Sequence, residues 1–159
     1  MDYAITYSPH SLIPQLFTTY LDANHGVCKD TGRSTGAYIV KIGTGVVSWM
    51  SKHQSIVALS TTEAEYMAAC EAGKEIVWMC KMLQELGFPM TAPSLLYMDN
   101  QSAIQVAKHA EHHGRMKQLD LSWFWLHDVV DQGAISATYV LDSWIRQLES
   151  NVRNYIIML

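Results

Sequence analysis

Asp22, Glu65 and Asp99 are the side chains of this sequence best placed to do chemistry. Asp22 sits in Thr19-Tyr20-Leu21-Asp22-Ala23 and Asp99 in Leu95-Leu96-Tyr97-Met98-Asp99-Asn100, each at the end of a short apolar run that predicts a strand. Glu65 sits in Ser60-Thr61-Thr62-Glu63-Ala64-Glu65-Tyr66, at the start of a long helical pattern. Acids on three separate rigid elements can converge on divalent cations, which a row of acids along one surface helix cannot do. Hard cations such as Mg2+ take oxygen ligands, and two of them about 4 Å apart can clamp the attacking and leaving oxygens of a phosphodiester.

The elements that must carry these acids follow from the pattern. Residues 16–22 predict the first strand. Residues 23–35, with Gly26, Lys29, Asp30, Gly32 and Arg33, predict an exposed turn. Residues 37–42 and 46–51 flank Gly43-Thr44-Gly45 and predict an antiparallel hairpin, with 55–59 as an extended connection. Ser60-x-x-Glu63 fits a capping box that starts a helix. Thr62-x-x-Glu65 fits the same pattern, which offers Glu65 a plain capping role instead; a start at Ser60 leaves Glu65 free. Ala69, Ala72, Ile76, Met79, Cys80, Leu83 and Leu86 then recur at helical spacing as one buried stripe, and Gly87 and Pro89 end the helix. A strand at 95–98, a helix at 100–108 and a polar, histidine-rich stretch at 109–118 come next. A helix at 119–131 is expected to bury Leu121, Trp123, Phe124, Trp125 and Val129, and a fifth strand covers 135–140. Strands that alternate with helices after an opening hairpin predict an α/β fold with a mixed sheet. One domain is expected over 16–141, with a lead-in at 1–15 and a divergent tail at 142–159.

Bulk properties narrow the function. The formal charge of the 159-residue chain is −4, so nucleic-acid contact must come from a local basic patch. No apolar run is long enough for a bilayer span and the start shows no signal core, so no membrane partner and an intracellular location, cytoplasm or nucleus, are expected. Cys28, Cys70 and Cys80 lack metal-ligand spacing; Cys70 and Cys80, ten positions apart in one helix and too far to bridge, read as buried thiols in a reducing compartment, with no disulfide-linked partner. His109, His112 and His113 lack accompanying ligands and read as a polar loop, and His25 as a solvated loop residue.

The ordered set Tyr20-x-Asp22-Ala23, Gly32-Arg33-Ser34-Thr35-Gly36-Ala37-Tyr38, Val47-Ser48-Trp49-x-Ser51-Lys52-x-Gln54-Ser55, Ala58-Leu59-Ser60-x-Thr62-Glu63-Ala64-Glu65-Tyr66 and Tyr97-x-Asp99-Asn100-Gln101-Ser102-Ala103 resembles the ribonuclease H domain of copia-type (LTR) retrotransposon polyproteins. The resemblance spans roughly residues 16–140. It implies a ribonuclease H-like fold, a five-stranded mixed sheet flanked by helices, and hydrolysis of the RNA strand of an RNA–DNA hybrid. It also implies two Mg2+ ions, for which Mn2+ substitutes, and a reverse transcriptase domain in the parent polyprotein. Asp22, Glu65 and Asp99 are its implied catalytic residues and metal ligands. Lys52, Gln54, Asn100, Gln101, Ser102, Arg115 and Lys117 are candidate substrate contacts.

The family usually supplies a fourth acid after the last strand. Its place falls here on Leu148 or, with one residue deleted, on Gln147, and Glu149 would be turned about 100° away on a helix. The functional expectation therefore has two forms: a detached nuclease domain of reduced rate, or an inert relic that folds and at most binds nucleic acid. The acids run Asp, Glu, Asp, which disfavours an integrase or transposase, where glutamate comes last.

Overall fold

A computed structural model describes residues 17–109, 121–141 and 143, and the following concerns those residues. The order is β1 Phe17–Asn24, β2 Thr35–Ile42, β3 Gly45–His53, α1 Thr61–Glu85, β4 Ser94–Met98, α2 Gln101–Lys108, α3 Leu121–Asp131 and β5 Ile135–Tyr139. The five strands form one mixed sheet in the order β3-β2-β1-β4-β5. β1 to β3 are antiparallel neighbours, whereas β4 runs parallel to β1 and β5 parallel to β4. This is the ribonuclease H-like α/β arrangement that the motifs imply.

The central position of β1 follows from its composition. Phe17, Thr19 and Leu21 are buried and alternate with half-buried Thr18, Tyr20 and Asp22, the period-two pattern of a strand covered on one side. Val40, Leu96, Met98, Ile135 and Ala137 join that buried set. α1 lies against β1, β2 and β4 and also touches α2 and α3. Its approach is close because residue 36 is glycine: a Cβ there would stand 3.2 Å from the Ala68 Cβ.

α1 begins where the capping pattern says. Ser60 Oγ accepts from the Glu63 amide, and the Glu63 carboxylate accepts from the Leu59 amide, one residue before the usual partner. At the other end the Phe88 amide donates to Leu83 O, the Gly87 amide to Gln84 O, and Gly87 takes φ +87. A left-handed glycine of this kind stops a helix by satisfying its last carbonyls.

Two core expectations are corrected. Leu86 is 65% exposed, because the stripe leaves the sheet in the last turn of α1. Phe124 is 45% exposed, while its neighbour Leu126 is fully buried and Gly73 of α1 leaves room for Leu126 and Trp125. The side chains at 121–123, the segment 110–120, the lead-in and nearly all of the tail fall outside the described residues. Arg115, Lys117, His112, His113 and the sites considered for a fourth acid are among them. The three cysteines are free. Cys70 is buried, whereas Cys28 is partly exposed in the turn after β1, with its thiol pulled below the usual range by hydrogen bonds to Thr31.

Candidate metal centre

Parallel pairing brings Asp22 and Asp99 together. Tyr20 stands opposite Tyr97 in the β1–β4 register, with their rings stacked at 5.0 Å. Two residues further on each strand lie Asp22 and Asp99, just past the paired ends. Glu65 arrives from above, in the second turn of α1, where the helix crosses the end of β1. Carboxylate oxygens from the three residues lie within 4.8 Å of one another.

The three are not equivalent. Asp22 and Asp99 are half-buried, but Glu65 is only 4% exposed. Its Oε1 accepts the Ala23 amide at 3.1 Å, a tie from the helix back to the strand bearing Asp22. Its Oε2 is buried with no hydrogen-bond partner. Burial, and then the negative charges of Asp99 and Asp22, push the Glu65 carboxyl up from 4.5 to about 8. The bland alternative, that Glu65 caps the helix, does not describe this geometry, because Ser60 and Glu63 form the cap.

The expected substrate contacts separate into groups. Gln101 and Ser102 are exposed in the first turn of α2, directly after Asp99. Asn100 is occupied as the N-cap of α2, accepting from the Ala103 amide at 3.1 Å. Lys52 is exposed and bridged at 3.4 Å to Glu71, which also holds Lys74 at 2.8 Å. Gln54, another of these candidates, is turned inward. It is 7% exposed, and its Nε2 donates to Ala64 O at 2.7 Å. His25, read from sequence as solvated, donates from Nε2 to Ala58 O at 3.0 Å and joins the loop after β1 to the connection before α1. No spacing rule flags such a bond, since its partners lie 33 residues apart.

Over 116 residues, 73% of its length, the chain is 41% identical to the retrovirus-related Pol polyprotein from transposon TNT 1-94 of Nicotiana tabacum, and the match covers 9% of that protein. It is 36% identical over 121 residues to the Pol polyprotein from transposon RE1 of Arabidopsis thaliana, covering 76% of this chain and 8% of that one. The chain thus spans less than a tenth of these curated relatives. No protein-family model matches it. Among solved structures, LC11-RNase H1, isolated from compost, matches with a TM-score of 0.61 at 10% identity, over 87% of this chain and 92% of that one. The same protein in complex with RNA/DNA hybrid gives 0.52 at 11% identity, over 82% and 89%.

Strand order, helix placement and these neighbours define a ribonuclease H-like domain. By sequence its homologues are Pol polyproteins of copia-type transposons, as the ordered motifs imply.

Proposed function

We propose that this chain is a divalent-metal-dependent endonuclease domain that hydrolyses the RNA strand of RNA–DNA hybrids. The observation that carries the reading is the convergence of Asp22, Glu65 and Asp99, with a buried Glu65 oxygen left without a partner. An unpaired, buried carboxylate oxygen costs free energy unless a cation or proton meets it. The donor set is all oxygen, which fits Mg2+ or Mn2+ and suits softer ions poorly. Asp22, Glu65 and Asp99 would hold the cations. When bound, two such ions supply an activated water and charge stabilisation for the departing 3′ oxygen.

The chain's own residues do the positioning. The Ala23 amide fixes one Glu65 oxygen, so the other is aimed without loss of side-chain freedom on binding. Asn100 caps α2 and so fixes the backbone that follows Asp99. Gln101 and Ser102, exposed beside that acid, would meet the hybrid, and a contact between the Glu65 region and the ribose 2′-hydroxyl would select RNA over DNA. Support for the substrate comes from the neighbour bound to RNA/DNA hybrid and from the Pol relatives.

The test is cleavage of a labelled RNA–DNA hybrid in Mg2+ and in Mn2+, beside an Asp22→Asn control. Cleavage that vanishes with the substitution supports the reading, and cleavage that survives it points to contamination. The second reading, an inert relic, is favoured by the absence of an acid at 147 and 148. It predicts no cleavage with either ion while hybrid binding persists.

A further inference from the structure

We infer that Gln54 is a positioning residue for Glu65, acting through the carbonyl of Ala64; the inference rests on the metal-site reading above. Gln54 is one of few polar side chains buried in the described residues. Its main-chain amide donates to Ser34 O at 2.8 Å, and Ser34 Oγ accepts the Gly26 amide at 3.1 Å. Its side-chain Nε2 donates to Ala64 O at 2.7 Å, on the residue immediately before Glu65. A continuous path of hydrogen bonds therefore runs from the loop after β1 to the turn of α1 that carries the buried acid.

The Ser60 cap fixes where α1 starts, and the burial of Ala64, Tyr66 and Ala68 seats its first turns on the sheet. Apolar packing is not directional, however, and does not by itself set the rotation of the helix about its axis. Successive helical residues are separated by 100°, so a small rotation swings Glu65 away from Asp22. The Gln54 bond holds that rotation from the inner side, where water does not compete for it. Space is already committed at this point: a Cβ on Gly36 would lie 3.3 Å from Gln54 Nε2. Lys52, two residues earlier, is exposed, and Gln54 is turned inward. The buried amide serves the acid's placement through its bond to Ala64 O.

The reporter is the Ala23 amide, because its partner is Glu65 Oε1. Gln54→Met keeps length and removes the donor, Glu65→Ala sets the full loss, and Ile76→Val, a buried change further along α1, serves as control. Amide hydrogen exchange of the whole chain is compared with Mn2+ binding to the free protein. With Gln54→Met, exchange at Ala23 is expected to rise about tenfold relative to the amides of Tyr38 and Val40, approaching Glu65→Ala. Mn2+ affinity is expected to fall about tenfold, the size usual for residues that orient metal ligands. Ile76→Val should change neither. Unchanged exchange at Ala23, or an equal rise at Ala23, Tyr38 and Val40, overturns the proposal. If the unsubstituted protein binds no Mn2+, the nuclease reading fails, and the Ala23 readout still decides the role of Gln54. Should Gln54→Met not fold, Gln54→Asn, which keeps the amide but shortens its reach, is scored in the same way.

Discussion

At the scale of single residues, the contrast between Glu65 and its two partners sets the behaviour of the site. Folded Glu65 holds its proton up to about 8, whereas the unfolded chain releases it near 4.5. Between those values the folded state binds more protons, so raising the pH favours unfolding. The metal-free protein should therefore lose stability as pH rises through this window, by an amount on the order of a few kcal/mol. Glu65→Gln should flatten that dependence, as read from denaturant midpoints across the range. Loss of Asp22 acts on the rate instead. Asp22→Asn should lower hybrid cleavage by ~100-fold or more, since the cations that would stabilise the developing charge lose an anionic ligand.

At the scale of elements, the site depends on how α1 is seated on the strand ends. Ser60→Ala removes the cap and should cost about 1 kcal/mol, measured as a lowered denaturation midpoint. Gly36→Ala acts at the interface itself, where the added Cβ meets Ala68 at 3.2 Å. Because backbone and a short side chain must yield there, about 1–3 kcal/mol of destabilisation is expected. The two changes should differ in a second measurement. Displacing the helix at Gly36 should weaken cation binding more than fraying its exposed first turn does. Equal effects on cation affinity would show that the close approach at Gly36 plays no special part in holding Glu65.

At the scale of the whole molecule, a cluster of three acids in a chain of net charge −4 is a source of repulsion that cations relieve. Saturating Mg2+ or Mn2+ should raise the Tm. At a hundredfold excess over Kd the gain is about 2.7 kcal/mol. The gain should grow as pH rises from 4.5 to about 8, because Glu65 must give up its proton to serve as a ligand. A chelator should reverse it. Mn2+ should support cleavage better than Mg2+, since a site short of one carboxylate benefits from the ion with higher intrinsic affinity. Among the described residues no helix is long and apolar enough to cross a membrane.

Local signals in the sequence determined the ingredients. Ser60 with Glu63 marked the start of α1, Gly87 its end, and the short apolar run at 16–22 the first strand, because caps, turns and strand-forming runs depend on near neighbours in the chain. The ordered motifs single out the three acids. Tertiary structure decided what those local signals do not carry. It made Glu65 the buried member, with one oxygen tied to Ala23 and the other unpartnered. It turned Gln54 inward onto Ala64, joined His25 to Ala58, and exposed Leu86 and Phe124 despite their helical spacing. Each of these depends on which distant segment a side chain meets once β1, β4 and α1 close together, and that is fixed by packing across the fold.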